Sequence, residues 1–278
     1  MLRALHWLLL GLSLLGAWQT ALAEQVCKYD TMQATAPASR FVDNHDGTVT
    51  DKVTGLMWKR CSEGQTWNGN DCVGNAKKFT WQEALRHSEG VSHSGYADWH
   101  LPNVKELTSI LERACYPPQI NLETFPSLPD DGSSSYEPTY WTSSPLILDG
   151  EAAGESPWYV NFSGYGAELP VVLTSDTPLY VRLVRTQPLQ PLNDTGIDLV
   201  QGDDGEHPRQ DAVLGRDKLV KDDFDGHSGF SYTKLDSFGK PLPNDAIDWA
   251  CVRDNTTGLI WETKTDDGGL RDKDWRYW

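Results

Sequence analysis

Several short stretches of this 278-residue chain carry residue types whose spacing could do chemistry. A serine nucleophile needs Gly-x-Ser-x-Gly, which seats the hydroxyl on a strained turn. The nearest stretch runs through Ser163, where Asn161 occupies the first glycine position, so the motif fails. A zinc peptidase needs His-Glu-x-x-His on one helical face. The seven histidines never take that spacing, and His87, His93 and His100 read as surface or packing residues. Calcium loops need carboxylates at set positions. Asp222-Asp223-Phe224-Asp225-Gly226 puts Lys221 at loop position 1 and Tyr232 at position 12, and Asp43-Asn44-His45-Asp46-Gly47 puts Val42 first. Both fail. General acid–base work needs two carboxylates in separated environments, but among 40 acidic residues some pair is inevitable. Asp51, Asp98 and Glu106 have structural readings as a turn, a helix approach and a cap. No catalytic residue, metal ligand or cofactor is assigned.

The elements that would position any site are short. Residues 40–51 read as a hairpin around Asn44-His45-Asp46-Gly47, where glycine supplies the positive φ of a tight turn. Thr54-Gly55 turns the chain into the strand Leu56-Met57-Trp58. Thr80-Trp81-Gln82-Glu83 is a capping box opening a helix through about Ser88. Asn103 and Glu106 repeat that logic, and Leu107, Ile110, Leu111 and Ala114 fall on one stripe of a second helix ending near Cys115 and Pro117. Residues 117–157 read as long loops interrupted by Tyr140-Trp141, and strands resume at 158–162 and 179–184. The order of hairpin, helices, loops and closing strands predicts an α+β domain built from small antiparallel sheets with two helices and long loops.

The first residues predict export. Arg3, the apolar run Leu8 to Leu15 and Ala21-Leu22-Ala23 lay out a cleavable secretory signal over 1–23, so the mature chain begins near Glu24 and is not inserted in a membrane. In an oxidising compartment cysteines pair. Cys61 and Cys72 bracket a Gly/Asn/Trp-rich loop and are a natural local pair, Cys27 and Cys115 could tie the lead-in to the end of the second helix, and Cys251 is left over. An odd cysteine means an intermolecular bond, a free thiol or a missing partner. Without Arg3 the chain holds 23 basic and 40 acidic residues, a net charge of −17. Such a surface repels phosphate backbones and anionic lipid, which excludes nucleic acid as a partner. Ten tryptophans follow the signal. Exposed ones could stack on sugar rings, while the plainer reading makes them anchors of a small core.

A phrase is also written twice: VTDKVTGLMW at 49–58 and VRDNTTGLIW at 252–261. Residues 187–217, rich in Pro, Asp, Gly and Gln, read as an acidic, solvated linker. Residues 218–278 then read as the truncated start of a second copy, and 222–278 are expected to bury too little for an independent core.

Residues 41–185 resemble the Lcl C-terminal domain family, a bacterial exported module. The resemblance rests on Gly47-Thr48-Val49, Asp51, Thr54-Gly55-Leu56-Met57-Trp58, Thr80-Trp81 with Ala84, Gly95-Tyr96, Asp98-Trp99, Leu101-Pro102 and Glu106-Leu107. Ile120-Asn121, Phe125-Pro126, Tyr140-Trp141-Thr142-Ser143-Ser144, Trp158 with Phe162, and Tyr180 to Arg185 complete it. His100 stands where the family has arginine, so an ion pair made by that arginine is not carried over. The resemblance implies a C-type lectin-like fold over 24–186 and binding or adhesion more readily than catalysis. Family members on adhesins are linked to sulfated polysaccharides, but residues 40–186 hold 11 basic and 19 acidic residues and offer no evident basic patch. Glu137-Pro138-Thr139 is similar to a lectin calcium-and-sugar tripeptide, yet the asparagine is absent. The bacterial resemblance makes the three Asn-x-Ser/Thr sequons chance matches.

The expected function is a non-catalytic, exported (periplasmic or cell-surface) binding or adhesion module for a glycan or an envelope protein. Its ligand surface is expected near Glu137, Tyr140, Trp141 and Trp158. The alternatives are a structural scaffold of an envelope assembly and a hydrolase acting on cell-wall carbohydrate.

Overall fold

The computed structural model describes residues 25–129, 138–148, 151–163, 173–185, 192–202, 209–214, 225–226 and 230–266. The segment read as a secretory signal, 1–23, lies outside them. In chain order the strands begin with β1 (Val26–Cys27), β2 (Phe41–Asp43), β3 (Thr48–Asp51), β4 (Met57–Lys59), β5 (Thr66–Trp67), β6 (Cys72–Val73) and β7 (Lys78–Phe79). Helices α1 (Trp81–Glu89) and α2 (Val104–Thr108) follow, then β8 (Cys115–Tyr116), β9 (Thr139–Leu148), β10 (Glu151–Asn161), β11 (Leu179–Tyr180) and β12 (Val184–Arg185). After helix α3 (Asp211–Leu214) come β13 (Tyr232–Leu235), β14 (Cys251–Asp254) and β15 (Ile260–Glu262). The architecture is α+β, mostly small antiparallel sheets with few helices.

Two four-stranded sheets, ordered β12-β4-β3-β2 and β10-β9-β11-β7, carry the core of the first unit. One apolar cluster joins Val49, Leu56 and Trp58 to Leu107, Ile110, Phe125, Tyr140 and Phe162. A second gathers Trp81, Leu85, Trp99, Trp141 and Tyr159. Trp58, Trp81, Trp99 and Trp141 have no exposed surface, so these four tryptophans are core anchors.

Local sequence explains the elements. Both capping boxes form: Thr80 Oγ1 accepts from Glu83 N at 3.3 Å and Asn103 Oδ1 from Glu106 N at 2.8 Å. The turn before β4 closes on Asp51, whose carboxylate is fully buried. It accepts from Arg40 Nε at 2.7 Å, Val53 N at 2.9 Å and Thr54 Oγ1 at 2.6 Å. Both expected disulfides are present, Cys27–Cys115 and Cys61–Cys72, and Cys251 is a free thiol.

Three expectations are corrected. The second helix stops at Thr108, although Ile110, Leu111 and Ala114 are buried as their spacing requires. Glu112 draws the chain out of the helix, because its buried carboxylate accepts from Thr35 N (3.1 Å), Ala36 N (2.9 Å) and Ala114 N (3.1 Å). The region expected to be loop holds the ten-residue β9 and most of β10. Its prolines sit at a break in the ladder, where Pro145 faces Pro157 between two register shifts and no amide donor is needed. The stretch expected to be a solvated linker is tied down in part: Asp194, Gln201, Gln210 and Asp211 are buried. Asn103 Nδ2 donates to Asp194 at 3.0 Å and Ser144 Oγ to Asp211 at 2.8 Å. Burial there is carried by polar side chains, which composition alone counts as solvent-loving.

Candidate functional site

A cleft of about 180 Å³ opens beside the disulfide loop, lined by Asp46, Gly47, Lys59, Cys61, Gln65, Thr66, Trp67 and His93. Three chain segments build it. The β2–β3 turn supplies Asp46 and Gly47, held by Asp46 Oδ1 accepting from Thr48 N (3.0 Å) and Thr48 Oγ1 (2.6 Å). Gly47 has φ +86°, and a Cβ there would lie 3.0 Å from Trp67 Cβ, so both backbone and space require glycine. The Cys61–Cys72 bond clamps the short β5–β6 hairpin that presents Thr66 and Trp67. His93 comes from the loop after α1, where Ser94 Oγ donates to Asp46 O at 2.9 Å.

The aromatic ring is fixed from one side. The Arg60 guanidinium lies 4.1 Å from the Trp67 ring centroid. Arg60 is held in turn by Asp43 Oδ2 (2.7 Å), Thr124 O (3.0 Å) and Glu123 O (2.9 Å). That is a preorganised cation–π pair rather than a free surface arginine. Behind the disulfide, Ser62 Oγ and Tyr140 OH share a hydrogen bond of 2.8 Å.

Lys59 on the cleft wall pairs with Glu63, whose other oxygen meets His87 Nε2 at 2.7 Å. Burial pushes the Glu63 carboxyl up, but the His87 hydrogen bond and the Lys59 charge outweigh it and hold it below its ordinary range. The buried His93 Nε2 has no hydrogen-bond partner. Burial, then the Lys59 charge, lowers the His93 pKa, so the ring is neutral at neutral pH.

The depressed Glu63 value sets a pH dependence. A carboxylate with a lowered folded pKa contributes stability that is complete above the unfolded value, about 4.3, and lost as pH falls through the folded value. Thermal melts of the wild type and Glu63→Gln between about pH 6 and pH 3 are expected to converge as the pH falls. Curves that stay parallel over that range would show that Glu63 is not a source of acid lability.

The four residues expected to form a ligand surface do not do so together. Tyr140 and Trp141 have no exposed area: the Tyr140 ring packs on Phe162, and Trp141 Nε1 donates to Phe79 O at 2.9 Å. They are core residues, since a long β-hairpin turns them inward where a loop was expected. Trp158 is half-buried on β10, its carbonyl accepting from Thr142 Oγ1 at 2.7 Å. Glu137 lies outside the described residues. The cleft residues Trp67 and His93 were missed, although one signal was available. A tryptophan inside an 11-residue disulfide span among glycines and asparagines has few neighbours to bury it.

Asp51 and Glu106 take the turn and cap roles expected of them, whereas Asp98 pairs with the last strand rather than with a helix. Asp98 holds Arg185 through Nε (2.8 Å) and Nη2 (2.9 Å), and Glu106 closes the cap on Asn103 N at 2.9 Å. His100 nevertheless makes an ion pair, its Nε2 lying 3.2 Å from Glu106. Burial opposes its charge, but the Glu106 carboxylate raises its pKa above the ordinary value. Among the described residues no group of three His, Cys, Asp or Glu side chains is placed to hold a metal ion. No helix among them is long and apolar enough to cross a membrane.

No curated protein and no solved structure gives a significant match to the chain. The sequence profile of the Lcl C-terminal domain matches residues 47–185, half of the 278-residue chain. That span runs from the glycine of the cleft turn, through the disulfide loop, to the arginine that closes the last strand of the first unit. The chain belongs to the Lcl C-terminal domain family.

Proposed function

We propose that the chain is an exported, non-catalytic binding module of C-type lectin-like architecture whose cleft takes a small uncharged polar group, in the first instance a sugar residue of a glycan or cell-envelope component. The cleft at Trp67 carries this reading. It brings an indole ring, the Thr66 hydroxyl, the Gln65 side chain and the His93 ring to one cleft, and the buried His93 Nε2 has no hydrogen-bond partner. Aromatic faces with a few convergent polar groups suit a sugar, whose C–H face is apolar and whose hydroxyls need partners. At about 180 Å³ the cleft is smaller than the roughly 300–1,000 Å³ of drug-sized sites, so it fits one ring or chain end. The excess of acid over base disfavours a sulfated ligand. The two disulfides are compatible with export.

The test is a neutral-glycan and envelope-component array probed with the mature chain, then titration of the best hit against Trp67→Ala and His93→Ala. Trp67→Ala is expected to weaken binding by about tenfold or more, since losing a stacking anchor costs about 1.4 kcal/mol or more. Unchanged affinity in both variants, or no binding up to about 1 mM, a free energy of only about −4 kcal/mol, would overturn the assignment.

A further inference from the structure

The repeated phrase folds the same way twice, and the second copy is left partly uncovered. Asp254 accepts from Thr256 N at 2.9 Å and Thr257 Oγ1 at 2.7 Å, as Asp51 does from Val53 N and Thr54 Oγ1. Gly258 takes φ +74° where Gly55 takes +71°. Lys52 N donates to Arg40 O at 3.0 Å and Asn255 N to Ser231 O at 2.9 Å. The registers Val49↔Trp58 and Val252↔Trp261 match, so β13-β14-β15 reproduces β2-β3-β4.

Burial separates them. Leu56, Met57 and Trp58 are 0%, 7% and 0% exposed, whereas Leu259, Ile260 and Trp261 are 55%, 60% and 59% exposed. In the first unit β12 lies against β4, with Val184 opposite Trp58 and Arg185 opposite Met57. In the second, among the described residues, β15 is the edge strand. On the face of β13 and β14, where the first unit has core around Val49, is a cavity of about 290 Å³ lined by Asp225, Tyr232, Lys234, Asn244, Trp249 and Val252.

We propose that this edge and face are a docking surface for an extended polypeptide segment of mixed apolar and basic residues, added antiparallel to β15. The first unit shows what covers such a surface: the segment Val181-Arg182-Leu183-Val184-Arg185, which ends in β12 and whose Val181 O and Leu183 O accept from Glu63 N (2.9 Å) and Lys59 N (3.1 Å). Charge favours the same chemistry, because residues 187–278 hold 11 basic and 19 acidic residues. A second copy of so acidic a unit would meet repulsion instead. Main-chain pairing gives affinity in strand addition, and the alternating side chains select the partner.

The probe is a synthetic peptide of residues 179–185, titrated into the mature full chain by fluorescence anisotropy and amide chemical shifts. Saturable binding is expected, with shifts at 251–262, weakened about tenfold or more by Trp261→Asp or by replacing the peptide arginines with glutamate. Trp261 is exposed, so that variant keeps its fold, which circular dichroism checks. No saturable binding up to about 1 mM (about −4 kcal/mol), or binding indifferent to Trp261→Asp, overturns the proposal. So does sedimentation showing a dimer that Trp261→Asp dissolves, which would assign the face to a second copy.

Discussion

Asp51→Ala is expected to destabilise the first unit by about 3–5 kcal/mol, whereas Asp254→Ala, at the matching place in the β13-β14-β15 sheet, should lower the first unit's melting temperature far less. Asp51 has no exposed surface, and Arg40 Nε and Nη2 both reach its carboxylate. Removing it leaves a partly buried guanidinium without its counter-charge, and strands the Val53 amide and Thr54 hydroxyl. Asp254 makes the same turn, with Thr257 Oγ1 as the counterpart of Thr54 Oγ1 and Asn193 Nδ2 in place of the arginine. Its loss forfeits hydrogen bonds to a charged acceptor, about 1.5–3 kcal/mol each, within the turn of the second sheet and to Asn193. Differential scanning calorimetry of both variants checks this. A loss below about 1 kcal/mol for Asp51→Ala would mean that water replaces the carboxylate easily.

Trp141→Ala is expected to cost about 3–5 kcal/mol and lower the melting temperature by about 10 °C or more, without a selective effect on ligand affinity in the fraction that stays folded. The ring is fully buried and packs edge-on to Tyr159 at 6.4 Å, and its indole N–H is satisfied by Phe79 O. Truncation therefore empties a core volume and orphans a carbonyl. Trp67→Ala is the informative contrast: its ring is half-buried at the cleft, so affinity should fall much further than stability. Denaturant melts paired with ligand titration separate the two. A Trp141→Ala protein that melts normally but no longer binds would restore Trp141 as a ligand contact.

The contrast between those tryptophans shows what can be read from a sequence of this kind. Caps at Thr80 and Asn103, the Gly47 turn and both disulfides follow from local rules that need only a few neighbouring residues. Ile110, Leu111 and Ala114 are buried, as their spacing requires, but lie beyond the end of the helix. Burial periodicity reports which side chains face inward, while the backbone path was set by Glu112 reaching Thr35 and Ala36, 76 or more residues earlier. Tyr140-Trp141 sat amid Pro, Ser and Gly and so looked like a loop tip, because the partner that turns it into a strand, β10, lies across a hairpin. The cleft was illegible for a related reason. Asp46, Trp67 and His93 come from three segments, and none of them carries a recognisable motif alone.

The disulfide ring from Cys61 to Cys72 divides its residues into two sorts. Gly64 is fixed, since a Cβ there would sit 2.7 Å from Lys77 N, and Gly69 has open space around it but φ +102°, which favours glycine, whereas Thr66, Asn68 and Asn70 are exposed. Covalent closure means that the rim keeps its shape without help from the core. The tip can therefore change sequence at little cost to folding, while the staples and Gly64 stay constant. Such a ring is a replaceable cassette on a constant chassis, and positions 66, 67, 68 and 70 are where selection or an engineer could change the face of the cleft while Gly64 and Gly69 stay.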